Sequence, residues 1–384
     1  MSDNPSFVLQ GIEQVVFEDR PIPENPHFDH SASVGEREVL VAVKKTGICG
    51  SDVHFLVHGR IADFVVENPM VLGHESSGVV HKVGSKVVDL KPGDRVSMEP
   101  GATCGQCDDC KKGRYNLCPY IEFAATPPHD GTLCRYYRIP AHVCYKLPDS
   151  LSLEDGALIE PLSVATHALN TLGKLKSNES VAIFGAGPIG LVCMAVARAL
   201  GAKRIIAVDI VPSRLEFAKA YAATDVYLPP AMEAGEDKIK YTDRNAKTMR
   251  EQLGLAERGP RSIDLVIEAS GAEASIRTGI SIARMGGRFV QVGMGNPEVT
   301  IPITMLLVKE LQVIGSLRYG AGDYELAIAL VTAGKIDLKP LVTHRFSFEQ
   351  AKEAFAANRA GKGPDGKPVI KSIISGPGVS PDEH

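Results

Sequence analysis

The rhythm of apolar and polar positions changes along the chain. Over residues 38–96 the apolar side chains come in short β-branched runs broken by glycine and proline, and little helical period appears until about Ser152. That pattern predicts a compact β-rich unit. From residue 181 to about 314, short apolar runs (180–184, 204–209, 263–268, 288–293) alternate with helical stretches such as 191–200. Alternation of this kind predicts a parallel sheet covered on both faces. Beyond Gly315 a helical stretch over 324–332 precedes a mixed segment. Residues 233–245 are polar enough for an exposed helix or loop, the apolar run 299–307 fits a buried strand or a dimer contact, and the tail 376–384 is expected to be mobile.

Bulk properties narrow the classes. With 384 residues and 44% hydrophobic content the chain can build two cored domains. A formal charge of −4 with no long basic run argues against a nucleic-acid partner and leaves small molecules. Residues 1–5 show no cationic or apolar leader, so a cytoplasmic protein is expected. The uncharged run 181–197 falls short of the roughly 20 residues a membrane span needs, and Gly185, Gly187, Pro188 and Gly190 interrupt it, so no membrane partner is expected.

Chemistry concentrates in three places. Gly73-His74-Glu75-Ser76-Ser77-Gly78 sets an imidazole beside a carboxylate, and Cys49, 25 residues before His74 in Thr46-Gly47-Ile48-Cys49-Gly50-Ser51-Asp52, could complete a three-ligand metal site with one open position. Alone, the same residues could be a surface turn and a buried thiol. Of the eight cysteines, Cys104, Cys107, Cys110 and Cys118 follow C-x2-C-x2-C-x7-C, a set that can close a tetrahedral shell around a structural zinc. Four unligated thiols, or a nucleic-acid-binding zinc module, are the other readings. Finally, the strand candidate 180–184 runs into Gly185-Ala186-Gly187-Pro188-Ile189-Gly190 and a helix, the context of a dinucleotide phosphate loop. Asp209, 19 residues past Gly190, can bond the ribose hydroxyls and repel a 2′-phosphate, which favours NAD over NADP. Asp209 could otherwise cap the helix starting near Pro212; Arg214 is the nearest cation for a phosphate.

The run from Gly73 to Val87 reads G-H-E-x2-G-x5-G-x2-V. It resembles the signature of the zinc-containing medium-chain alcohol dehydrogenases, and Cys49-Gly50-Ser51-Asp52 looks like their first zinc-ligand segment. The resemblance covers nearly the whole chain. It is closest to the polyol branch, in particular fungal-type xylitol dehydrogenases, through Gly50–Phe55, His58-Gly59-Arg60-Ile61, Ala124-Ala125-Thr126-Pro127 and Gly315-Ser316-Leu317-Arg318-Tyr319.

This resemblance implies an α/β fold: a GroES-like β-rich catalytic domain over 1–164, with 318–384 returning to it, and a Rossmann NAD-binding domain over 165–317. It implies zinc-dependent oxidation of a polyol, xylitol to D-xylulose, with sorbitol or L-arabinitol as the alternatives. Two zincs per subunit follow, a catalytic one on Cys49, His74 and Glu75 and a structural one on the four cysteines. Glu160 would face the catalytic zinc directly or through water, although taken alone it reads as a solvated carboxylate at a helix start. Ser51 and His54 would relay the proton. Phe55, Glu160, Arg318 and Tyr319 would border the substrate, Phe55 replacing the tyrosine common in animal sorbitol dehydrogenases. The cofactor would meet Gly185, Gly187, Ile189, Gly190, Asp209, Arg214, Val292, Gly293 and Met294. Relatives are commonly tetramers. Without the resemblance His54 could be structural and Arg318-Tyr319 a surface pair. A non-enzymatic dinucleotide-binding relative is the rival, but it would have no need to keep the three zinc ligands together.

Overall fold

The computed structural model describes residues 4–21 and 35–383. It divides into one unit of Met1–Glu160 with Gly320–His384 and another of Pro161–Tyr319. Among the described residues no helix is long and apolar enough to cross a membrane.

The first unit is built on a seven-stranded sheet. Its central strand, Glu38–Gly47, pairs antiparallel with Glu75–Val83 and with Tyr136–Pro140. It also pairs with Lys371–Ser375 near the other end of the chain, so the C-terminal segment is an integral strand of this sheet. Alternation along Glu38–Gly47 sends Val39, Val41 and Val43 into one core with Val80, Val96 and Met98. A second core gathers Phe7, Leu9, Phe55, Leu72 and Phe355. Each such ring or branched side chain, removed from water, contributes roughly 1.5–3 kcal/mol.

Several expectations are corrected here. The helix Gly50–His58 interrupts the region read as strands and turns. Asp52 creates it locally, because its carboxylate reaches back to the backbone N–H of Cys49 as a capping box, and Gly59 at φ 67 ends it. The tail is docked: Gly376 N–H donates to Lys44 O, and the Lys45 ammonium donates to the carbonyls of Ser380 (3.3 Å) and Pro381 (3.1 Å). His384 lies outside the described residues.

The second unit is a six-stranded parallel sheet in the spatial order Asp225–Tyr227, Arg204–Val208, Ser180–Phe184, Ile263–Glu268, Ala283–Gln291, Gln312–Gly315. This is the doubly wound order whose switch point lies beside the first strand. The polar stretch near 240 forms the helix Lys238–Leu253, started by Asp237 and burying Thr242, Asn245, Ala246 and Met249. The run 299–307 is not a strand. It leads into the helix Ile303–Lys309, which leaves Ile303, Leu307 and Val308 exposed beside the edge strand.

Candidate active site and metal centres

In the first unit, antiparallel pairing puts Gly47 opposite Glu75. A Cβ on Gly47 would stand 2.3 Å from Glu75 Oε2, so only glycine leaves room for that carboxylate. Two residues on, Cys49 caps the helix Gly50–His58. The ligand atoms of Cys49, His74 and Glu75 thereby come within 4.8 Å of one another, and among the described residues no fourth ligand joins the group.

Three neighbours that sequence reasoning missed hold this group. Asp52, fully buried, accepts from Cys49 N–H (3.4 Å) and Gly73 N–H (3.1 Å), and its Oδ1 lies 3.3 Å from His74 Nδ1. A carboxylate behind a histidine fixes the ring and leaves the other nitrogen for a metal. Burial disfavours a charged His74, yet Asp52 and Cys49 outweigh it and hold the imidazole pKa well above its ordinary value. A pocket that keeps a positive charge on a buried ring fits a cation. Lys371 is the second neighbour: its ammonium donates to both oxygens of Glu75 (2.7 and 2.6 Å) and to Ile48 O (3.1 Å). Burial opposes that charge, while Glu75 and Cys49 raise it above the usual lysine value. Phe123, buried, sets its ring 5.8 Å from that of His74.

The other residues expected around this site are placed as follows. Ser51 Oγ donates to Cys49 Sγ at 3.1 Å. His54 is exposed on the outer face of its helix. Phe55, one position on, turns the opposite way and is 3% exposed in the core with Ile48 and Leu72, so its ring is a packing element here. Glu160 is not at a helix start but inside Leu153–Thr166, buried, just before Pro161; it is not in the three-ligand group.

The cysteine lobe forms a second group in the same unit. Cys104 Sγ lies 4.0 Å from Cys110 Sγ and 3.6 Å from Cys118 Sγ, and all four sulfurs fall within 4.8 Å of one another. Zinc–sulfur bonds of about 2.3 Å in a tetrahedron require sulfurs about 3.8 Å apart, so the set fits that ion. The N–H groups of Cys107 and Cys110 point at Cys104 Sγ and Cys107 Sγ. Backbone N–H groups bring the Cys104 thiol down to about 6, favouring thiolate, while burial pushes Cys110 up to about 12.

In the second unit the strand Ser180–Phe184 delivers Gly185-Ala186-Gly187 to the N-terminus of the helix Pro188–Ala199. A Cβ on Gly190 would stand 1.8 Å from Gly185 O, whereas one on Gly187 would meet nothing within 4 Å. Gly190 is therefore required by close packing, and Gly187 faces open space at an uncapped helix end, a cradle for an anion. Asp209 is held over this loop by Ala186 N–H (2.7 Å) and Val211 N–H (2.9 Å), with Arg214 Nη1 3.9 Å away. Val211, not Asp209, is the N-cap of the helix Pro212–Tyr221. Ile189 and Val292 are half-buried, and Met294 is exposed. Gly293 packs against Gly271, leaving no room for a side chain. Arg318 takes φ 55, in the left-handed region that side chains rarely adopt, and Tyr319 is buried.

Comparison with known proteins gives two family matches. Residues 35–149 match the family model for the alcohol dehydrogenase GroES-like domain, and residues 188–333 match that for zinc-binding dehydrogenases. The chain is 54% identical to "Probable D-xylulose reductase A" of Aspergillus clavatus over 97% of each chain. It is 52% identical to D-xylulose reductase A of Aspergillus niger over 98% of this chain and 97% of that one. Among solved structures, an Escherichia coli alcohol dehydrogenase complexed with NADH superposes with TM-score 0.82 at 26% identity, covering 98% of this chain and 100% of that one. A Sinorhizobium meliloti chain bound to NADP superposes with TM-score 0.79 at 27% identity and the same coverage. The chain belongs to the zinc-binding alcohol dehydrogenases and is an oxidoreductase with a GroES-like domain joined to a Rossmann domain.

Proposed function

We propose that the protein oxidises xylitol to D-xylulose with NAD, reversibly, as a cytoplasmic, tetrameric enzyme of xylose breakdown carrying two zincs per subunit. The observation that carries this reading is the three-donor group Cys49, His74 and Glu75, which has no fourth donor among the described residues and so suits a catalytic rather than a structural zinc. Zinc held there supplies Lewis-acid chemistry that acidifies a secondary hydroxyl. The protein's own side chains do the rest. Asp52 orients His74, and Lys371 neutralises and aims Glu75. Ser51 takes the hydroxyl proton and His54, exposed, passes it to solvent. Glu160 would face a zinc held there, directly or through water, and Arg318 and Tyr319 would bond successive hydroxyls of an open-chain polyol.

The second zinc belongs to the cysteine lobe, where a closed shell of four sulfurs stabilises the lobe without taking part in the reaction. NAD preference rests on Asp209, whose carboxylate would repel a 2′-phosphate and bond the ribose hydroxyls. The exposed Ile303, Leu307 and Val308 beside the strand Gln312–Gly315 support self-association, because an apolar edge of this kind gains by being covered.

Initial rates on xylitol, sorbitol, L-arabinitol and a simple secondary alcohol, each with NAD and NADP, test the reading. Xylitol with NAD should give the highest kcat/KM and D-xylulose as product. Preference for the simple alcohol would overturn the polyol assignment.

A further inference from the structure

The helix Gly50–His58 is anchored by its inner face, where Asp52 and Phe55 are buried. Its outer face carries His54 and His58, one turn apart and both exposed. Their ring centroids are 4.7 Å apart with the planes inclined at 50°. Among the described residues neither ring has a hydrogen-bond or ion-pair partner. Two imidazoles bound to one ion at about 2.0–2.1 Å, subtending 90–109° at it, would have ring centres about 4.5–5.2 Å apart. The pair therefore already holds the separation of a chelate.

Two further features favour a cation at this place. His58 is the last residue of the helix, and the carbonyl end of a helix carries partial negative charge. Arg60, the nearest cation in the sequence, is turned away, its guanidinium donating to Ala62 O at 2.6 Å. Exposure of both rings lets water complete the coordination shell. Imidazole nitrogen selects Zn²⁺, Ni²⁺ or Cu²⁺, with copper strongest, and leaves Mg²⁺ and Ca²⁺ to oxygen ligands.

We propose that His54 and His58 form a third metal site, a bidentate chelate for a divalent transition-metal ion, and that filling it inhibits the dehydrogenase by occupying His54. The site stands on the geometry alone; the inhibition rests on the proton-relay role assigned to His54 above.

The test uses the full-length enzyme with its resident zinc, freed of loosely held metal by gel filtration. Isothermal titration with Zn²⁺ at pH 7.5 should show one further binding event, and turnover of xylitol should fall with the same midpoint. A His58→Ala variant should keep its basal kcat/KM but need about 100-fold more Zn²⁺ for both effects, because a two-point attachment has become single-point. With Cu²⁺, the wild type should give an electron paramagnetic resonance spectrum split by two imidazole nitrogens, and His58→Ala should not. Equal binding or equal inhibition of the two proteins would overturn the proposal, as would a copper–thiolate absorption band in place of the imidazole spectrum. A His54→Gln variant assayed without added metal separates the two layers. If it retains full kcat, the relay role and the inhibition fail while the binding result stands.

Discussion

Glu99 offers a test of how this protein carries buried charge. It is 1% exposed, one carboxylate oxygen accepts from Tyr145 O–H at 2.8 Å, and the other has no partner among the described residues. Burial pushes its pKa from 4.5 up to about 7, helped by Glu325 and Glu160 and only partly opposed by Tyr115 and Tyr145. Between these two values the native state retains a proton that the unfolded chain has released. The stability this contributes is complete below pH 4.5 and is lost as the pH rises through 7. At about 1.4 kcal/mol per pKa unit, the full effect is about 3 kcal/mol. Glu99→Gln keeps the acceptor for Tyr145 and removes the titration. Any fixed cost of the carboxamide is independent of pH, so the readout is the difference in slope. Denaturant midpoints of wild type and variant, taken from pH 5 to pH 8, should diverge by about 3 kcal/mol in favour of the variant toward pH 8. At about 2–4 °C per kcal/mol for a domain of this size, the thermal midpoints should separate by about 6–12 °C. Parallel profiles would refute the reasoning.

Further predictions follow from the two metal groups and the nucleotide loop. Lys371→Met leaves Glu75 charged and buried without its partner, so the metal-stripped variant should lose about 3–5 kcal/mol in denaturant unfolding, and the Lys371→Met/Glu75→Gln double variant should recover most of it. The same ammonium, held above the ordinary lysine value, keeps its contribution through neutral pH and gives it up only in strong alkali. Asp209→Ala should raise the ratio of NADP to NAD kcat/KM by about tenfold or more, a change worth about 1.4 kcal/mol; an unchanged ratio would remove Asp209 from cofactor selection. Cys104→Ser should lower the thermal midpoint and metal content of the lobe while folded molecules keep their turnover. Retained stability with abolished turnover would contradict the division between the two zincs.

Much of the fold was legible because its signals are local. The alternation after residue 181 and the glycine loop ending in Asp209 describe a parallel sheet with a phosphate cradle, and that sheet is present. The metal groups were legible from spacing, since cysteines three residues apart meet in one turn and His74-Glu75 is continuous. What escaped was set by distant partners. Lys371 reaches Glu75 across 296 residues of sequence, from a strand whose residues show no local link to the site. The helix Gly50–His58 was hidden because Gly50 and Ser51 look like a turn until Asp52 is seen to cap it. Phe55 was read for what its missing hydroxyl would do to a substrate, yet its helix face points it into the core. Glu160, which taken alone reads as a solvated carboxylate at a helix start, is buried inside Leu153–Thr166 with Pro161 beside it in the same helix.

The account rests most heavily on Cys49, His74 and Glu75 holding the zinc on which turnover depends. The direct measurement is zinc content against xylitol-dependent NADH formation during stepwise chelation, with circular dichroism recorded at each step. Removal of the more weakly held equivalent should abolish turnover while the spectrum is retained, and stoichiometric Zn²⁺ should restore it; a Cys49→Ser variant should lack that equivalent from the start. Full turnover with no zinc left beyond the four-cysteine lobe would contradict the account.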